Sequence, residues 1–399
     1  MRGLRTLNLS ETDIESLPSS ISDLEKLNAL LLARCTKLVS VPSLEKLKVL
    51  KHLDLSVTEI EEIPHGMESL TNLKRLSLSC RRLKMIPTGT LHRLTHLQRL
   101  ELPYYFEVPI EEVKALKQLE LLECRLNSVC DLNRLINSRQ SDKQFLSYDI
   151  TLSSREVDCP FPLEFSRGSK YLSFGEKSLM EYSSLDIDGN MLLQDVEGLN
   201  FFCSGLRGCL LDEFPIPNSV KECEISGEDK IECIMRLEEK FSWVPFQSLE
   251  MLFLTELPNL IGLFKWDIYV PLPPGTFSCL EELSICGCGK IKKLFPQSSV
   301  HNFHNLKVLS VSDCEQMEEI IEDDDNNERA DITLPMLKEL SLRNLPQLKK
   351  LPFLHDQLSP PTRLRKINIE DGDREWWKSL VWPHHNVLQP LVHFYHNDD

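Results

Sequence analysis

Leu4-x-x-Leu7-x-Leu9-x-x-Thr12-x-Ile14-x-x-Leu17-Pro18 returns as Leu50-x-x-Leu53-x-Leu55-x-x-Thr58-x-Ile60-x-x-Ile63-Pro64. Leu73, Leu76, Leu78, Leu83, Ile86 and Pro87 repeat the pattern, and Leu27, Leu30, Leu32, Cys35, Leu38, Val41 and Pro42 give a variant of it. The first leucines stand at 4, 27, 50 and 73, a constant step of 23. Leucines two apart lie on one side of a strand. A single short strand cannot bury that side alone, so consecutive repeats stack and share a core. The residues between the leucines face the other way and line an inner surface. The I-x-x-L-P segment brings the chain back on the outer side, where proline ends strand pairing.

The frame continues less regularly through Leu97-x-x-Leu100-x-Leu102 and Leu116-x-x-Leu119-x-Leu121-x-x-Cys124. A second block starts at Leu249, Leu280, Leu306, Leu337 and Leu364, with steps of 31, 26, 31 and 27. Between the blocks, Phe145 to Ile150, Ser184 to Ile187 and Val220 to Ile225 read as degenerate strands of the same array. An inserted domain is the competing reading; the lack of a linker or composition break favours repeats. The expected fold is therefore α/β, a leucine-rich-repeat solenoid in which a curved parallel sheet alternates with short helical or irregular returns. Its expected parts are regular repeats over 1–126, degenerate repeats over 127–246, longer repeats over 247–372, and a cap and tail over 373–399. Trp376, Trp377, Trp382, Phe394 and Tyr395 are expected to close the last repeat.

The composition agrees with one elongated array. Of 399 residues 70 are leucine, and 41% hydrophobic content excludes wholesale disorder. The net charge of −16 argues against a nucleic-acid footprint, which needs a clustered basic face. No apolar run is long enough to span a bilayer, and no signal-peptide h-region follows Met1. The 13 cysteines are thus expected as reduced thiols of a cytoplasmic protein.

Little here suggests catalysis. Gly168 and Gly175 with Lys177-Ser178 miss the phosphate-loop spacing, which needs four residues between the glycines and lysine directly after. Cys286-Gly287-Cys288-Gly289 has no second pair at zinc spacing. Its Cys288 falls on the ninth repeat position with Cys35, Cys124 and Cys314, where a small side chain turns inward. The acidic run from Glu318 to Glu328 lacks the glycine and terminal glutamate of a calcium loop, and His384-His385 lacks a third ligand. No enzyme, cofactor or metal is expected.

The T-x-I-x-x-L-P repeats, the long C-x-x-L-type repeats from Leu280 to Pro296, and the tail Trp376-Trp377-Lys378-Ser379-Leu380-Val381-Trp382 together resemble the C-terminal part of plant nucleotide-binding leucine-rich-repeat disease-resistance proteins of the coiled-coil class. The resemblance implies a region that binds pathogen effectors or the host proteins they modify, and that restrains a nucleotide-binding switch domain. That domain is absent from this sequence, so nucleotide binding is not carried over. A general leucine-rich-repeat adaptor is the alternative. Met1 stands three residues before Leu4, inside the first repeat frame. An open stacking end exposes an unpaired edge, so a fragment, a truncated product or a covered end is expected.

Frame arithmetic nominates an inner face for protein binding: Thr6, Asn8, Ser10 and Glu11; His52, Asp54 and Ser56; Arg75, Ser77 and Ser79; Arg99, Glu101 and Tyr104; and, in the second block, Ser310, Ser312, Asp313, Arg343 and Asn344. Such side chains on a rigid surface can supply specificity and steering without chemistry.

Overall fold

The computed structural model describes residues 3–106, 108–138, 145–153, 170–175, 178, 194–237, 244–266, 271–322, 334–349, 351, 363–379 and 388–395. The chain divides into two compact units, Met1–Leu193 and Gln194–Asp399. In the first, β1 (Thr6–Asn8), β2 (Ala29–Leu31), β3 (His52–Asp54), β4 (Arg75–Ser77), β5 (Arg99–Glu101), β6 (Leu121–Leu126), β7 (Ser147–Leu152) and β8 (Lys170–Phe174) pair in chain order. Every pair is parallel. Parallel neighbours require a crossover, and each crossover is the rest of one repeat. It holds a 3-10 turn at Ser19–Asp23, Met67–Ser69 and Leu91–Arg93, then α1 (Ile110–Lys114) and α2 (Val129–Asn137).

The core is a set of leucine columns. Leu30, Leu53, Leu76, Leu100 and Leu122 stack at the fourth position and Leu32, Leu55, Leu78 and Leu102 at the sixth, all buried. A tight turn precedes each strand: the first-position N–H of Leu27, Leu50, Leu73 and Leu97 donates to the carbonyl three residues earlier at 2.8–2.9 Å. That earlier residue is itself a buried leucine in Leu47, Leu70 and Leu94.

The exit from the strand is equally regular. At the eighth position Glu11, Arg34 and Val57 adopt left-handed φ of 62°, 59° and 54°. Their N–H groups donate to the seventh-position carbonyls of the next repeat, Ala33, Ser56 and Ser79, at 2.8–3.0 Å. The positive φ turns the chain out of the sheet while keeping one more ladder bond, so no backbone donor is stranded. One residue on, Thr12 Oγ1 and Cys35 Sγ both donate to the Leu9 carbonyl, at 2.6 and 3.0 Å. Thr58 Oγ1 and, from the eighth position of the next repeat, Cys80 Sγ do the same at Leu55, at 2.8 and 3.2 Å. The buried thiols thus satisfy a carbonyl that the strand leaves open.

Cys124 is a correction to this scheme. It lies within β6 opposite Ile150, with Leu121 opposite Arg99, so it holds the sixth position, not the ninth. The frame there is Leu119-x-x-Leu122-x-Cys124, three residues later than the spacing suggested.

In the second unit, β9 (Gly198–Phe202), β10 (Arg207–Cys209), β11 (Glu222–Ser226), β12 (Lys230–Leu237), β13 (Met251–Thr255), β14 (Gly262–Trp266) and β15 (Glu282–Cys286) are followed by β16 (Lys293–Phe295), β17 (Val308–Ser312), β18 (Glu319–Ile321), β19 (Glu339–Arg343), β20 (Lys366–Glu370) and β21 (Val392–Tyr395). Strands β9, β11, β13, β15, β17, β19, β20 and β21 form the main parallel sheet in that order. The expected helical or irregular returns give way here to strands. β10, β12 and β14 pair with one another, and β16 pairs with β18. Two of the three degenerate stretches, at β7 and β11, are strands of the main sheets; the third, Ser184 to Ile187, lies outside the described residues, as do Trp382, Gly168, Lys177, His384 and residues 323–333 of the acidic run.

The longer repeats are filled by phenylalanine. Phe246, Phe277 and Phe303 take the turn position that leucine holds in the first unit, three residues before Leu249, Leu280 and Leu306. Their rings stack at 4.8 and 5.3 Å between centroids. The eighth-position rule holds as well: Cys203, Gly227, Glu256, Gly287, Asp313 and Asn344 all have φ between 47° and 67°. The expectation of thiols throughout fails at one pair. Cys209 on β10 and Cys233 on β12 face each other with Cα atoms 4.8 Å apart and are joined as a disulfide. Their separation of 24 residues matches a repeat step, and parallel pairing sets them side by side. After β20, α3 (Arg374–Ser379) buries Trp377, and Arg374 covers the ring of Phe394 on β21 at 4.4 Å.

Candidate functional site

Parallel register sorts the open-face side chains of the first unit into columns. The third-position column runs Thr6, Ala29, His52, Arg75, Arg99 and Leu121, and the fifth runs Asn8, Leu31, Asp54, Ser77, Glu101, Glu123 and Asp149. Arg75 thus lies directly opposite Arg99, and Glu101 opposite Glu123. Seven of the nominated residues, His52, Asp54, Ser56, Arg75, Ser77, Arg99 and Glu101, line one cavity of 540 Å³.

These residues do different work. Asp54 Oδ1 accepts from Ser56 N at 3.0 Å and Ser56 Oγ at 2.7 Å, and Asn8 Oδ1 accepts from Ser10 N at 3.0 Å. Both close the turn that leaves the strand. Glu11 sits at the left-handed position and reaches Arg34 at 3.9 Å, while Thr6 is exposed at the first strand. Ser79 lends its carbonyl to Val57. Tyr104 Oη donates to Asp149 Oδ2 at 2.8 Å. Burial holds the Asp149 carboxyl above the usual range against the pull of that bond. His52 is pushed below the ordinary imidazole value by burial and then by Arg75, Lys51 and Lys74. Neither Arg75 nor Arg99 makes an ion pair among the described residues. Ser77 is 7% exposed and its hydroxyl has no hydrogen-bond partner there.

The second-unit nominees are tied to one another. Arg343 pairs with Asp313, and Asn344 Nδ2 donates to Asp313 Oδ1 at 3.0 Å. The Asn344 N–H donates to Asp373 Oδ2 at 2.6 Å. Partial burial works to raise the Asp313 carboxyl, but the bonds from Asn344 and Arg343 hold it below the usual range. Ser310 lies in register between Ser284 and Ser341, and Ser312 ends β17 beside Arg343. This network spends its polar groups internally.

The sequence reading missed Leu31, Glu120, Leu121, Glu123, Leu146 and Ser147, which with the core residues Leu53 and Leu76 complete the lining of the first-unit cavity. Placing Leu119 at the first position of its repeat would have exposed Glu123 as the fifth-position partner of Glu101. Among the described residues no three His, Cys, Asp or Glu side chains group as a metal site, and no helix is long and apolar enough to cross a membrane.

A family model described as plant disease resistance protein RPS2-like, leucine-rich repeats, matches residues 264–371. A disease resistance protein of Arabidopsis thaliana is 26% identical over 98% of this chain and 42% of its own length. A second chain of that plant with a disease-resistance name is 26% identical over 88% of this chain and 33% of its own. The chain therefore spans less than half the length of these relatives. Among solved structures, a leucine-rich-repeat protein of Leptospira interrogans aligns with 99% of this chain and 72% of its own, at 19% identity and a TM-score of 0.42.

Proposed function

We propose, on the premise that this chain carries leucine-rich repeats of the plant disease-resistance family, that it is the protein-recognition region of a cytoplasmic plant immune receptor. In this reading it senses a pathogen effector, or a host protein the pathogen has altered, and within a longer receptor of the coiled-coil class it restrains a nucleotide-binding switch. The reading assigns no catalysis to the chain. The observation that carries it is the open face of the first unit. Its charged third- and fifth-position side chains, Arg75, Arg99, Asp54, Glu101 and Glu123, line a cavity and lie outside the leucine columns. A face of that kind gives recognition without disturbing the core.

The test is photo-crosslinking from two sites on the chain expressed in plant tissue. One crosslinker replaces Leu146, 69% exposed at the cavity, and the other replaces Val49, 41% exposed in the turn before β3 and outside the cavity lining. The expected result is one protein captured from position 146, not from 49, and only after pathogen challenge. Equal capture in unchallenged tissue would favour the general adaptor reading. Equal capture from both positions would reject the open face.

A further inference from the structure

Several charges in this chain are neutralised from repeat to repeat. Lys46 meets Asp23 at 3.0 Å, Lys221 meets Glu197 at 3.2 Å, and Lys366 meets Glu339 at 3.5 Å. The last pair occupies the third-position column of the second unit, in register. The first unit does the opposite in the same column, setting Arg75 against Arg99, and in the next column setting Glu101 against Glu123. Like charges directly opposite on neighbouring strands destabilise a sheet. A local choice that works against folding marks a place where something other than folding sets the residue.

The two rows run along the direction in which strands stack, the cationic one on β4 and β5 and the anionic one beside it on β5 and β6. In the anionic column, next to Glu101, lies the buried Ser77 hydroxyl without a partner among the described residues. At one side stands Leu146, an exposed apolar anchor. The spacing distinguishes possible occupants. Stacked strands repeat every ~4.8 Å. An α-helix laid across them brings a side chain back to the same row every ~5.4 Å, whereas an extended chain does so every ~6.7 Å. Over the span of a few strands the helix stays within side-chain reach of its partners and the extended chain drifts out of step.

The geometry points to a partner α-helix lying along the stacking direction, with an acidic row over Arg75 and Arg99 and a neighbouring basic row over Glu101 and Glu123. This inference rests on the reading of the open face as a protein-binding surface and specifies what that surface takes.

Its test uses the full chain and three fluorescent alanine-based helical peptides, read by anisotropy at low salt. One carries a glutamate row beside a lysine row, each at i, i+4, i+7 and i+11 spacing; the others carry glutamate only or lysine only in both rows. The two-row helix should bind at least about tenfold more tightly than either single-sign helix. In the Arg75→Glu/Arg99→Glu double variant, whose two side chains are exposed, that affinity should fall at least about tenfold and the all-lysine helix should become the better ligand. Circular dichroism of the variant confirms that it is folded. Three results would overturn the inference: a two-row helix that binds no better than the single-sign ones, binding unchanged in the double variant, or equal binding of the two-row peptide after proline has broken its helix. If capture at position 146 succeeds while the peptides fail, only the helix falls. If capture at 146 fails, the open-face reading falls with it.

Discussion

Glu228 offers a sharp test of how the repeats are joined. It occupies the ninth position of its repeat, is 2% exposed, and reaches into the preceding repeat. Its Oε1 accepts from the Ser204 N–H at 2.5 Å and the Ser204 hydroxyl at 2.6 Å, and its Oε2 accepts from the Gly205 N–H at 3.2 Å. Alanine at this site would strand two backbone donors and a hydroxyl. Each orphaned donor costs about 1–3 kcal/mol, part of it offset by removing a buried carboxylate, so the net loss should be about 3 kcal/mol. Glutamine keeps an oxygen for Ser204 but turns an amide donor toward Gly205, and should lose about half as much.

The pH dependence separates charge from geometry at the same site. Burial raises the Glu228 carboxyl above the usual value, and the bonds from Ser204 and Gly205 only partly oppose this. The folded state then binds more protons than the unfolded state between the two values. The carboxyl therefore contributes a stability loss that grows as pH rises from the ordinary carboxylate value through the folded one. Urea unfolding across mildly acidic pH should show a steeper loss in the parent than in Glu228→Gln. Hydrogen exchange at Ser204 and Gly205 should report the local opening. An alanine variant within about 1 kcal/mol of the parent, or identical pH slopes for parent and glutamine variant, would refute the reasoning.

Three further outcomes are expected. Gly66 has φ +84°, and a Cβ there would lie 2.6 Å from the Glu45 backbone nitrogen; Gly66→Ala should cost more than about 2 kcal/mol in chemical denaturation. Val57 holds the left-handed eighth position although it is β-branched; Val57→Asn should raise stability by about 1 kcal/mol in the same assay. Phe277 is stacked between Phe246 and Phe303 and fully buried; Phe277→Ala should cost about 3–5 kcal/mol and sharpen exchange in its flanking repeats first.

Much of the frame could be read from leucine spacing because positions 1, 4 and 6 of each strand are forced into the core. The slip at Leu116 shows where such reading stops. The tight turn before each strand also buries a residue three before the first position, so Leu116, Leu119 and Leu122 form an unbroken series of three-residue steps. With cysteine rather than leucine at the sixth position, Leu121 imitates the end of the motif although it faces outward. That slip hid Glu123. The strands in the second-unit returns gave little alternation to read, since β10, β16 and β18 are three residues long and on β12 the buried Ile234 breaks the alternation begun at Lys230. The Cys209–Cys233 pair is invisible without register. The opposed charge rows share that property: the residues were nominated one by one, but only strand pairing shows that like stands beside like.

The left-handed residue that ends many of the strands has a wider consequence. At Glu11, Arg34, Val57, Cys203, Gly227, Glu256, Gly287 and Asp313 its N–H reaches a carbonyl of the next repeat, so residues of very different side chains serve there. The side chains of the leucine columns and those of the open face are then nearly disjoint sets. A lineage of such chains can rewrite its recognition surface letter by letter while the scaffold stays put, and a new specificity need not be accompanied by compensating changes in the core.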